Sequence, residues 1–210
     1  MWERAELKSR SKLVMKRNYW NMFIVSAIVM VLSGGLSINT DNLTFFYGNA
    51  FFVGLIGVLL GVFVVNPLTC GEARFYLLNL DENQKLDELF YFFKHDYANV
   101  VKIMFIKNVR IFLWALLFVI PGVIKSYEYG MIPYILAEDS SISAEDAFLR
   151  TRELTNNQKL NIFVLDLSFV GWYLLGSFLI IGTLFVAPYY QGTHVELYNE
   201  LKLINCKEEF

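Results

Sequence analysis

Charged positions divide this chain into long apolar stretches. The first charge-free stretch runs from Asn18 to Thr40, the second from Asn42 to Gly71, the third from Ile111 to Ile124 and the fourth from Leu167 to Val195. A helix needs about 20 apolar residues to cross a hydrocarbon core of about 30 Å. The first two stretches therefore each hold one span. The third, at about 21 Å, is too short for a crossing by itself, and the fourth, at about 43 Å, is long for one. Two architectures fit. With four spans, the third and fourth stretches each cross once. With six, each is part of a hairpin, one turning near Pro121-Gly122 and one near Ile181-Gly182.

The basic residues favour six. Arg4, Lys8, Arg10, Lys12, Lys16 and Arg17 precede the first span, and Ser37–Gly48 carries no Lys or Arg. Cytoplasmic loops concentrate positive charge, which places the N-terminus inside and Ser37–Gly48 outside. Four spans would put Lys125, Arg150, Arg152 and Lys159 outside, whereas six spans leave only Lys125 there. The expected fold is an all-α polytopic membrane bundle of three hairpins, both termini cytoplasmic, forming one domain over residues 1–210.

A coarse repeat points the same way. Each unit reads as an amphipathic segment, an outgoing span and a returning span that contains Pro67, Pro133 or Pro188. Proline removes an intrahelical hydrogen bond, so these positions are expected to kink the returning helices. The cytoplasmic segments are a basic stretch (1–17) and two amphipathic ones (84–107 and 143–156). Leu89, Phe93, Tyr97, Val100 and Met104 recur at helical spacing through Leu86–Lys107. Ser143 is an expected N-cap, with Glu145 and Asp146 in the first turn, where the helix dipole favours acids.

Composition agrees: 56% hydrophobic and 17% aromatic residues exceed the apolar share of about 45–50% usual in soluble domains. Cys70 and Cys206 both fall on the expected cytoplasmic side, where thiols stay reduced, so no disulfide is expected. The first apolar stretch lacks a small-residue cleavage pattern and reads as a retained span rather than a secretory signal.

Several motifs then converge. They are Asn66-Pro67-Leu68 with Gly71, Arg74, Phe75 and Tyr76, and Leu113-Trp114 leading into Pro121-Gly122. Next come Lys125, Tyr127, Tyr129, Met131, Pro133 and Tyr134, then Ser143, Ala147, Arg152 and Glu153. Leu167-Ser168-Phe169 with Gly171-Trp172, Pro188-Tyr189 and Tyr198 complete the set. Together they resemble the bacterial multi-pass membrane proteins grouped as domain of unknown function 975, over nearly the whole chain. That pattern usually has a Ser near Thr151 and a Gly near Asn156, so this chain departs from it in the loop before the fifth span. The resemblance implies a fold and a cell-membrane location but no mechanism.

Ionisable groups at membrane depth are the candidate functional residues, because each is costly there unless paired or hydrated. Arg110 and Asp166 fall at comparable depth on outgoing spans, which makes them a candidate ion pair. Lys125 and Glu128 share a helix face on the fourth span. With Tyr127, Tyr129 and Tyr134 they form a candidate polar recognition site near the external surface, or else an interfacial anchor.

Catalytic signatures are missing. No Walker loop, dinucleotide-binding glycine pattern or Gly-x-Ser-x-Gly elbow occurs, and His95 and His194 lack metal-ligand partners at helical spacing. Neither a metal, a cofactor nor an enzymatic activity is expected. The basic N-terminus suits anionic lipid headgroups rather than nucleic acid. Two classes stay open: a non-enzymatic interaction, sensor or protective component acting on a membrane protein or membrane-active peptide, and a small transporter or channel-like carrier.

Overall fold

In the computed structural model, residues 2–33, 50–177 and 182–208 are described, and all regular structure among them is helical. Helix α1 (Arg4–Leu32) is followed by α2 (Ala50–Leu60), a π-helical turn (Gly61–Val65) and α3 (Asn66–Leu78), which form one continuous rod. A 3₁₀ segment (Leu86–Phe93) leads into α4 (Tyr97–Leu117). Then come α5 (Val119–Glu128), α6 (Ile132–Glu138), α7 (Ala144–Leu154), α8 (Lys159–Ser177) and α9 (Gly182–Glu208). Ser37–Gly48, expected as an external loop, lies outside the described residues.

Helix α1 changes direction where its basic part meets its apolar part. Asn18 leaves helical geometry at φ −138° and ψ 39°. Its side-chain amide donates to Asn79 Oδ1 at 2.7 Å and to the Gln84 carbonyl at 3.1 Å. Arg17 beside it donates to the carbonyls of Asn79 and Leu80. Those carbonyls end α3, where helical acceptors lack intrahelical partners and a cation is favourable.

The three prolines do three different things. Pro67 follows the π-helical turn, and the carbonyl four residues before it, that of Phe63, is the one a proline cannot bond. That oxygen instead accepts from the Tyr97 hydroxyl at 2.7 Å. Pro133 stands in the first turn of α6, so it starts a helix rather than bending one. Pro188 lies inside α9.

Antiparallel helix pairs organise the chain. Asn18 faces Asn79 and Ser26 faces Glu72 and Tyr76, so the apolar part of α1 runs antiparallel to α3. Helices α4 and α5 reverse at one extended residue, Phe118 (φ −155°, ψ 141°). This turn comes three residues before the expected Pro121-Gly122, because proline fits the first turn of the new helix. Gly122 allows the pair to close: a Cβ there would fall 2.7 Å from the Ala115 Cα. Helices α8 and α9 meet at Gly176 and Gly182 in the same way, with 2.9 Å from a Gly176 Cβ to the Gly182 carbonyl carbon. Helix α1 also lies along α9, through Phe23 on Phe185 (5.1 Å between centroids) and Arg10 on Glu200.

The segment Leu86–Lys107 is not one helix. Its first part is 3₁₀, in which residues three apart eclipse, and accordingly Leu89 and Phe92 are the two buried side chains. Asp96 then adopts a left-handed conformation at φ 48°, which Asp tolerates better than most residues. Its carboxylate accepts from the Ser140 hydroxyl at 2.5 Å. The 3₁₀ backbone rests directly on α3, because a side chain at Gly71 would collide with the Leu89 carbonyl. Helix α7 starts as its sequence implies, with the Asp146 N–H donating to Ser143 Oγ at 3.1 Å.

Burial is uneven. One cluster joins Leu7, Met22, Phe75, Tyr76, Phe169, Tyr198 and their neighbours, and a second joins Cys70, Phe92, Ile103, Ile132 and Phe148. The α4–α5 tip is bare by contrast: Leu116, Val119 and Ile120 are 73%, 74% and 75% exposed. Among the described residues two rods, Gly54–Leu78 and Lys159–Gly176, are long and apolar enough to cross a membrane, with only 28% and 22% of their most apolar stretches buried. Helices α5 and α6, at about 15 Å and 10 Å, are each too short alone, and α4 carries Lys102, Lys107 and Arg110.

Candidate functional site

Where the helix pairs converge they leave a polar chamber of about 350 Å³. Helix α3 contributes Thr69, Glu72 and Ala73, α4 contributes Lys107, and α5 contributes Ser126 and Tyr127. Pro133 and Tyr134 come from α6, Ile162 and Asp166 from α8, and Tyr190, Gln191 and His194 from α9. The residues from α3, α8 and α9 recur at three- and four-residue intervals, so each of these helices presents one face.

The wall is held by hydrogen bonds that cross between helices. Glu72 is 3% exposed. One of its oxygens accepts from the Ser26 hydroxyl at 2.8 Å and the other from the Gln191 amide at 3.1 Å. Ser26 also meets the Tyr76 hydroxyl at 2.8 Å, and the Tyr134 hydroxyl donates to Gln191 Oε1 at 3.4 Å. On the opposite side His194 Nε2 lies 2.7 Å from Asp166 Oδ1, and the Tyr127 and Tyr190 hydroxyls face the same carboxylate. Lys107 differs from the rest: among the described residues its ammonium has neither a hydrogen-bond nor an ion-pair partner.

The structure does not join Arg110 to Asp166. Arg110 lies over the Phe148 ring, 3.9 Å from its centroid, as a cation–π contact. Asp166 is satisfied by His194 across the α8–α9 pair. Equal distance along two outgoing helices was a poor guide, because α8 pairs with its sequence neighbour α9.

Lys125 and Glu128 do pair, at 2.6 Å, but as part of a closed cluster. Glu128 is 3% exposed and also contacts Lys159 at 2.5 Å and Arg152 at 3.5 Å. Thr151 Oγ1 donates to its carbonyl at 2.9 Å. Glu128 is ten residues beyond the Phe118 turn, about 15 Å along α5, and sits beside the α7–α8 connection. An external position for Lys125 and Glu128 is therefore incompatible with a cytoplasmic position for Arg152 and Lys159. Tyr129 belongs to this region as a buried ring, edge-on to Phe148 at 5.0 Å. Tyr127 and Tyr134 line the chamber instead.

Sequence reasoning missed Glu72, Lys107, Gln191 and His194. Glu72 served only as the end of a charge-free stretch. His194 looked isolated because its partner is 28 residues away on another helix. The sequence signal available was the i, i+3 pair Gln191 and His194 at the end of the charge-free stretch Leu167–Val195. Among the described residues no group of three His, Cys, Asp or Glu side chains is placed to hold a metal ion.

Residues 116–205 match the family model described as Protein of unknown function (DUF975). The match begins at the α4–α5 tip and runs into α9, so it takes in Tyr127, Tyr134, Asp166 and His194 of the chamber. Residues 1–115, with Glu72 and Lys107, lie outside it, a narrower reach than the motifs suggested. No curated protein and no solved structure matches the chain.

Proposed function

We propose that this chain is an integral protein of a bacterial cytoplasmic membrane that crosses six times as three hairpins, with both termini inside. In this reading it works without catalysis, as an interaction, sensor or protective component whose central chamber recognises a small polar ligand. The observation that carries the reading is the combination of bare apolar helix surface with a half-open cavity between the helices whose wall carries hydrogen-bonded polar side chains. In lipid, exposed Ile56, Val58, Phe112, Leu113, Val170 and Trp172 along the helices meet hydrocarbon, and polar side chains are retained where they face a cavity between them.

The basic N-terminus supports contact with anionic headgroups through Arg4 and Lys16, since Arg10 is engaged by Glu6 and Glu200 and Arg17 by the end of α3. A carrier is the second reading, favoured by one observation: Glu72, Lys107, Asp166 and His194 share one chamber between the hairpins.

Single cysteines at Asn42 and Ser141, in a background lacking Cys70 and Cys206, test the topology with an impermeant thiol reagent on intact cells. Labelling is expected at Asn42 alone; labelling at Ser141 contradicts six crossings. Complementation of a deletion strain tests the chamber. Lys107→Gln is expected to be produced normally and to fail, and full complementation would place the function elsewhere.

A further inference from the structure

The chamber carries both signs of charge on its wall, and they do not meet. Lys107, Glu72 and Asp166 all line it, yet no ion pair joins the lysine to either carboxylate. Asp166 is matched locally by His194 at 2.7 Å. Glu72 has only neutral donors, Ser26 and Gln191, one on each oxygen, so each oxygen keeps a free lone pair. The Lys107 ammonium keeps all three donors. A flexible lysine collapses onto a carboxylate within reach, yet Lys107 and Glu72 line one volume of about 350 Å³ without an ion pair. That volume lies near the lower end of small-molecule sites, about 300–1,000 Å³, and far above the roughly 30 Å³ of one water.

We propose that the chamber binds a small zwitterion, with its anionic group on Lys107 and its ammonium on Glu72. This rests on reading the chamber as a ligand site. A lone anion would neutralise Lys107 and leave Glu72 uncompensated in the same enclosure, and a lone cation would do the converse. A molecule carrying both charges satisfies both walls at once. Gln191 positions the acidic end, because its one amide ties Glu72 to Tyr134 and fixes the direction of the free lone pairs.

The test is calorimetric titration of the purified full chain in detergent with ω-amino acids of two to six carbons, each beside the monocarboxylate and monoamine of equal length. At least one amino acid is expected to bind about tenfold or more tighter than both its matched partners, about 1.4 kcal/mol or more. Lys107→Gln is expected to abolish that preference while the variant stays folded by circular dichroism and elutes like wild type. Glu72→Gln should do the same; Glu72→Asp, which keeps the charge, should retain binding and serves if the glutamine variant does not fold.

A second arm repeats the titration in nanodiscs of phosphatidylethanolamine. Competition there assigns the zwitterion to a lipid headgroup, and its absence to a free solute. Monocarboxylates binding as well as amino acids would overturn the proposal while leaving the chamber a ligand site. Absence of binding by every probe to folded protein overturns the zwitterion, whereas complementation by Lys107→Gln would overturn the ligand site itself.

Discussion

Glu128 and Glu72 are each 3% exposed, yet their surroundings differ in kind. Around Glu128 three cations close in, Lys125 at 2.6 Å, Lys159 at 2.5 Å and Arg152 at 3.5 Å, and Thr151 satisfies its carbonyl. Around Glu72 the donors are neutral, and the cation lining the same chamber, Lys107, has no hydrogen-bond or ion-pair partner among the described residues. The first arrangement is complete and ties α5 to the α7–α8 connection. The second is incomplete by one partner and borders open space. A completed buried network fixes structure, and one that leaves a charge over is built for something that arrives.

Replacing Glu128 attacks the closed cluster most severely. Glu128→Gln leaves Lys125, Lys159 and Arg152 facing one another, and loss of a buried partner costs about 3–5 kcal/mol. The lower end, about 3 kcal/mol, is expected because the cations are partly exposed; thermal unfolding in detergent measures it.

Ser26→Ala attacks the wall of the chamber. It removes the hydroxyl bridging Glu72 and Tyr76, and an orphaned buried acceptor costs about 1–3 kcal/mol. Destabilisation near 2 kcal/mol, about the middle of that range, should appear without any loss at the Glu128 cluster. A double variant with Glu128→Gln should be additive within about 0.5 kcal/mol if the two networks are independent.

Thr151→Val sharpens the comparison from the closed side. The Glu128 carbonyl keeps only the weaker Thr155 hydroxyl at 3.4 Å, for a cost of about 1 kcal/mol. Arg152→Ala should matter least. Its side chain is 59% exposed and its contact is the longest of the three, so less than about 1 kcal/mol is expected, falling further with added salt.

Much of the helix pairing was legible because charge-free stretches and glycines report on it locally. Gly122 marks the α4–α5 closure, and Ser143 caps α7 as its spacing implies. The chamber was not legible. Its key contacts link Ser26 to Glu72, Glu72 to Gln191 and Asp166 to His194, across separations of 46, 119 and 28 residues. Helical periodicity states which residues share a face of one helix and is silent on which face of another helix meets them. The same blindness paired Arg110 with Asp166 and made Lys125 and Glu128 an open site. Proline misled for a related reason: whether Pro67 leaves a carbonyl unbonded depends on Tyr97, 30 residues onward.

Thermal unfolding of Lys107→Gln beside Glu128→Gln, in one detergent and without added ligand, tests the distinction between the two networks most directly. The completed network predicts a large fall for Glu128→Gln. The incomplete one predicts that Lys107→Gln melts at or above the wild-type temperature, because the substitution removes a cavity-lining charge with no partner among the described residues. A fall for Lys107→Gln as large as that for Glu128→Gln would show that the lysine is already paired within the fold, and would contradict the account.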